Sequence, residues 1–149
     1  MLQRLNRREA LTAGAGALAA GLGLAAGPAH ALNDYADQIK NFTGGKVPVE
    51  GGLKLELPEL AENGNTVPLS VTVDPMGEGT YVQEILVVAP ANPNARVIRF
   101  RFSPASVPEA STRIRLAETQ DVVAVAQLSD GTFRQISRQI KVTIGGCGG

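Results

Sequence analysis

Between Val47 and Ile144, apolar residues return at every second position, in short runs that each close on Gly, Pro, Asn or Asp. A period of two is the spacing of a strand with one face buried, so this pattern constrains the fold more than any other feature. Val47, Val49, Leu53, Leu55 and Leu57 make the first run, and Pro58 ends it. Ala61-Glu62-Asn63-Gly64-Asn65 reads as a turn, with Asn-Gly suited to positive φ. Val67, Leu69, Val71 and Val73 follow, closed by Asp74-Pro75 and a Gly-rich loop over Met76 to Gly79. Tyr81 to Ala89 is more continuously apolar, as an interior strand should be. Beyond the break at Pro90, Pro93 and Asn94, the residues Ile98, Phe100 and Phe102 face one way and Arg99 and Arg101 the other. Ser103 to Pro108 is a loop, Ile114 and Leu116 mark a short strand, and Val122 to Leu128 another. Asp130-Gly131 is a two-residue hairpin signal, after which Ile136, Ile140, Val142 and Ile144 run along the final strand.

Seven strands with a turn signal every roughly 8–12 residues predict an all-β fold, an immunoglobulin-like antiparallel β-sandwich. A small open barrel is the alternative architecture. Cys147 is the single cysteine, so no internal disulfide is available and the hydrophobic core must hold the domain alone. Ahead of the strands, Asn33 to Phe42 reads as one short N-terminal helix, with Asn33 as N-cap and Gly44 as stop. Tyr35, Ile39 and Phe42 share one face of it, expected to lie on the sheet edge.

The first residues carry an export signal. Arg4, Arg7 and Arg8 precede an uncharged stretch from Ala10 to Asn33, with a small-x-small cleavage site at Ala29-His30-Ala31. Its Ala and Gly content makes it a weak membrane anchor. Asn6-Arg7-Arg8-Glu9-Ala10-Leu11 resembles the twin-arginine type, which exports folded proteins; an ordinary signal with two arginines is the alternative. The domain division is therefore 1–31 for the signal, 32–144 for the sandwich and 145–149 for a C-terminal arm. No membrane association is expected after cleavage, and the expected location is the periplasm.

Residues 32–149 carry eleven basic and thirteen acidic side chains, a balance that gives no indication of nucleic-acid binding. The charges are unevenly spread, with nine acids and three bases over 32–95 against four acids and eight bases over 96–149. Arg99, Arg101, Arg113 and Arg115 alternate along two predicted strands and could form one basic face, either a solvated sheet surface or a surface for acidic partners or anionic cargo. The one histidine, His30, lies in the leader. With no histidine and one cysteine after cleavage, a Ser-His-Asp or Cys-His catalytic set, a Cys/His zinc site and a haem-attachment motif are excluded. Glu56 with Glu59, and Glu118 with Asp121, sit beside turns or strand ends, where spacing does not bring them together. No metal, no cofactor and no self-contained enzymology is expected.

What remains is the terminal Gly145-Gly146-Cys147-Gly148-Gly149. Four glycines leave the thiol without steric neighbours, on a tip that could swing about 10 Å beyond Ile144 if extended. No Lys, Arg or His lies within five residues of Cys147, so nothing local in sequence activates it as a catalyst. Three readings stand: a disordered tail, an intermolecular disulfide, or a handle that other enzymes load. On the last, bulky residues at Gly146 or Gly148 should slow partner turnover without lowering stability.

The leader, the single helix, the sandwich, the stretch Ala61-Glu62-Asn63-Gly64-Asn65-Thr66-Val67-Pro68 and the terminal Gly-Gly-Cys-Gly-Gly together resemble the SoxY family. These are the sulfur-carrier subunits of the bacterial thiosulfate-oxidising (Sox) system. The resemblance implies that Cys147 holds thiosulfate-derived intermediates covalently in the periplasm, on an arm of Gly145, Gly146, Gly148 and Gly149. It also implies a heterodimer with SoxZ, a second small β-sandwich subunit. A haem c-type cytochrome, a sulfate-releasing hydrolase and a sulfur dehydrogenase would act on the cargo. Two rivals are a structural or adhesive module that pairs through its cysteine, and a carrier that uses the Gly148-Gly149 carboxylate as a thiocarboxylate.

Overall fold

The computed structural model describes residues 34–146; the leader, with Arg7, Arg8 and His30, and the tip Cys147, Gly148 and Gly149 lie outside the described residues. Two sheets face each other. The larger runs β1 (Val49–Glu50), β9 (Phe133–Ile144), β8 (Gln120–Leu128), β5 (Val82–Val88), β6 (Arg96–Arg101), with β3 (Leu60–Asn63) also paired to β9. The smaller runs β2 (Leu53–Glu56), β4 (Val67–Val73), β7 (Glu109–Ile114). Alternation puts Leu53, Leu55, Leu69, Val71, Ile85, Val87 and Val122 between the layers, all buried. The sandwich reading holds.

Three expectations are corrected. The run from Val47 to Leu57 is two strands in different sheets, because Gly51 and Gly52 take φ of 91° and 76°, a region that residues with a Cβ rarely adopt, and turn the chain from β1 into β2. Ala61 to Asn63 belongs to a strand rather than a turn, with Ala61 paired to Val142 and Asn63 to Ile144. Pairing is also not wholly antiparallel: β1 and β3 run parallel to β9, each along a different stretch of its length. Nine strands are therefore present among the described residues, against seven expected.

The helix α1 (Tyr35–Thr43) begins one residue later than Asn33 as cap would require, with Asp34 at the N-cap and Gly44 left-handed at the C-cap. Its Tyr35, Ile39 and Phe42 cover the outer face of the larger sheet, over Leu86, Val88, Val123, Val125 and Phe133, and not the sheet edge. The reason lies in β5 and β8, which are apolar on both faces and need a cover on the outer one. Phe42 meets Phe133 edge-on with ring centres 5.8 Å apart.

Candidate functional site

The last described residues before Cys147 are held in the sheet end by backbone geometry. β9 is twelve residues long and outruns its partner β8, whose pairing stops at Gln120–Ile140. Beyond that point the edge is taken over by the segment after Leu116: Thr119 Oγ1 accepts the Val142 N–H at 2.9 Å. On the opposite edge lies β3, continued by Gly64. Three bonds then close a ring at the strand end. Gly64 N–H donates to Ile144 O at 2.8 Å, Leu116 N–H to Gly64 O at 2.8 Å, and Gly146 N–H to Leu116 O at 2.9 Å.

The ring needs glycines. A Cβ on Gly64 would sit 2.3 Å from Leu116 O and 2.7 Å from Gly146 N, and one on Gly145 would sit 2.0 Å from Ala117 O. One on Gly146 would meet Gly64 O at 2.8 Å. Real Cβ atoms do not approach backbone so closely, so Gly64 is there for contact, not for positive φ. The same distances correct two expectations. A free swing measured from Ile144 overstates the reach, since Gly146 is bonded; and a bulky residue at Gly146 must disturb the fold as well as the tip.

Behind the ring, Asn92 is 4% exposed and fixes the other edge of the 115–117 segment. Its Nδ2 donates to Arg115 O at 2.9 Å, and its Oδ1 accepts the Ala117 N–H at 2.9 Å. Buried Gln120 donates to the same Oδ1 at 3.1 Å and accepts the Ala91 N–H at 2.8 Å. Nothing in the sequence marks Asn92 or Gln120, and Leu116 enters there only as part of a short strand. Gly64 stood in a quoted stretch, but the spacing that gave it a turn could not show which backbone it would touch.

The expected basic face divides. Arg99 and Arg101 lie on the larger sheet, where Glu84 Oε1 holds them at 3.4 Å and 3.1 Å, and Arg99 also stacks over the Phe42 ring at 5.3 Å. Arg113 and Arg115 belong to β7 and its continuation, in and beside the smaller sheet. Among the described residues no group of three or more His, Cys, Asp or Glu is placed to hold a metal ion, and no helix is long and apolar enough to cross a membrane.

The chain can be compared with known proteins on this geometry. The family described as "Sulfur oxidation protein SoxY" matches residues 39–147. Among solved structures, the sulfur carrier protein SoxY from Chlorobium limicola f thiosulfatophilum is 34% identical, with a TM-score of 0.61 over 73% of this chain and 96% of that one. A superoxide reductase (neelaredoxin) from Ignicoccus hospitalis matches with a TM-score of 0.54 at 18% identity, over 62% of this chain and 80% of that one, a likeness of fold alone. Comparison with curated proteins finds no match.

Proposed function

This chain belongs to the SoxY family of sulfur oxidation proteins, and we propose that Cys147 is the atom on which it carries its sulfur. The chain is a sulfur carrier in thiosulfate oxidation. The observation that supports Cys147 as the attachment point is the ring at Gly64, Leu116 and Gly146, which anchors the backbone one residue before the only thiol in the sequence. A fixed root followed by a thiol flanked by glycines presents a narrow tip to enzymes that work in turn. The sulfur–sulfur bond can be formed and broken by exchange while the cargo stays tethered, and tethering raises its local concentration at each enzyme.

In this reading Gly145 and Gly146 form the base of the arm, and Gly148 and Gly149 its free side. The chain is non-catalytic and uses no cofactor beyond the bound sulfur. A haem c-type cytochrome joins thiosulfate to Cys147, a hydrolase removes the sulfonate as sulfate, and a sulfur dehydrogenase oxidises the rest. The partner is a small β-sandwich subunit of SoxZ type, and export by the twin-arginine route delivers the pair folded to the periplasm.

Intact and peptide mass spectrometry of the mature chain, after incubation with thiosulfate and the partner enzymes, tests the proposal. Added mass on Cys147 is expected. Mass on the Gly149 carboxylate, or unchanged thiosulfate oxidation by Cys147→Ser, would overturn it.

A further inference from the structure

Asn63-Gly64 is the only Asn-Gly pair in the sequence, and it stands where β3 meets the end of β9. In such a pair the asparagine side chain is open to attack by the next backbone nitrogen. A glycine has no Cβ to shield that nitrogen, and its backbone turns freely into the attacking geometry. Here the glycine cannot be exchanged. A Cβ on Gly64 would sit 2.3 Å from Leu116 O and 2.7 Å from Gly146 N, so two distant segments dictate the residue that follows Asn63. The asparagine side chain is exposed and folds toward its own C-terminal side, its Oδ1 accepting the Asn65 N–H at 2.9 Å. This turn carries the carboxamide toward the intervening Gly64 peptide.

Two features hold the reaction back. The attacking atom is the Gly64 nitrogen, which must first lose its proton to a base. Gly64 is buried, and that proton is donated to Ile144 O at 2.8 Å. Gly64 O meanwhile accepts the Leu116 N–H at 2.8 Å, which fixes the residue from its other side. Pairing of Asn63 with Ile144 also keeps the chain extended, whereas ring closure needs the peptide between Asn63 and Gly64 to turn out of that geometry. Base reaches the amide proton only when this region opens, the same event that starts hydrogen exchange.

We propose that Asn63-Gly64 is a self-modification site, kept silent by the ring of Gly64, Leu116 and Gly146 and released when that ring opens. The deprotonated Gly64 nitrogen attacks Asn63 Cγ. The N–Cγ bond forms, the Cγ–Nδ2 bond breaks, and ammonia leaves, taking up a proton in place of the one lost from the amide. Water then opens the succinimide at either carbonyl, giving aspartate or isoaspartate. No oxidant, cofactor or partner is consumed. Neither succinimide nor isoaspartate can rebuild the ring. The first has no N–H to give Ile144 O, and the second adds a backbone carbon within the Asn63–Ile144 pair. A transient opening thereby becomes a permanent loosening at the end of β9. The inference rests on the fold and stands apart from the carrier reading.

The mature chain is incubated in mildly alkaline buffer beside a synthetic peptide running from Leu60 to Thr66. Peptide mass spectrometry follows the mass gain at Asn63 that marks exchange of the amide for a carboxyl. Asp130-Gly131 already carries a carboxylate and gives no such gain. The folded chain should react about tenfold or more slower than the peptide; equal rates overturn the proposal. Asn92→Ala withdraws the side chain behind Arg115 and Ala117, and Thr119→Val removes the acceptor of the Val142 N–H. Both weaken the ring while leaving Asn63 and Gly64 in place. Each should speed the mass gain by about three- to tenfold, by the same factor as hydrogen exchange at the Gly64 amide. Urea below the unfolding transition supplies the same graded opening in the wild-type chain, so the comparison does not hang on either variant. A mass gain that stays constant while Gly64 exchange accelerates overturns the proposal. Asn63→Gln, which would have to close a larger ring, should show no gain in this peptide; an undiminished gain places the reaction elsewhere and overturns it. The isoaspartate-bearing fraction of the aged chain should exchange its Gly146 amide about tenfold faster than fresh protein. Unchanged exchange there overturns the loosening of β9.

Discussion

Gly146 gives its N–H to the carbonyl of Leu116 at 2.9 Å, one residue before the chain's only thiol. The bond fixes the backbone as far as Gly146, and the close contacts around it make Gly64, Gly145 and Gly146 packing residues.

Gly64→Ala should open the ring. Its Cβ would lie 2.3 Å from Leu116 O, and the backbone shift needed costs about 1–3 kcal/mol. Urea unfolding should show that loss, and hydrogen exchange at the Gly146 amide should speed up in the folded variant. An unchanged exchange rate would mean that Gly64 does not hold the ring closed.

Gly146→Ala and Gly148→Ala should differ. The first places a methyl 2.8 Å from Gly64 O and should lower stability by about 1–2 kcal/mol as well as slowing transfer of cargo. The second is expected to slow transfer with stability intact. Thermal unfolding beside turnover with the partner enzymes separates them, and equal stability for both would contradict the close contact.

Asn92→Ala removes a buried amide that holds Arg115, Ala117 and Gln120. Stranding these groups should cost about 2–3 kcal/mol. Chemical denaturation checks the loss; a change below about 0.5 kcal/mol, the range of ordinary surface substitutions, would mean that water replaces the side chain freely.

The hairpin into β9 should respond to acid. The hydroxyl of Thr132 donates to Asp130 Oδ1 at 2.6 Å and its N–H at 2.9 Å, which holds the carboxyl below the usual aspartate range. A carboxyl depressed in the folded state stabilises above its unfolded pKa, and that contribution disappears as pH falls through the folded value. Stability curves of wild type and Asp130→Asn should therefore be furthest apart near neutral pH and converge below the aspartate range. A separation that stays constant into that acid range would show that ionisation plays no part.

Much of the sandwich was legible because alternation in Val67–Val73 and the Asp130-Gly131 hairpin are local signals, decided by side chains two or three residues apart. The crossing at Gly51-Gly52 was not, since a continuous alternating run gives no sign that its two halves join different sheets. The division of the possible basic face was hidden for a similar reason. Arg99 and Arg113 share a pattern along their strands, but Glu84, fifteen residues before the first, neutralises only one pair.

By itself the sequence determined the strand periodicity, the absence of any internal disulfide and the single thiol among glycines, because each follows from residue identity and near spacing. Tertiary structure alone decided that β3 and the loop at Leu116 would grip the end of β9, and that β1 would pair in parallel with an earlier stretch of the same strand. Both depend on backbone approaching backbone between segments some thirty to eighty residues apart, and no local pattern encodes which carbonyl a distant N–H will find.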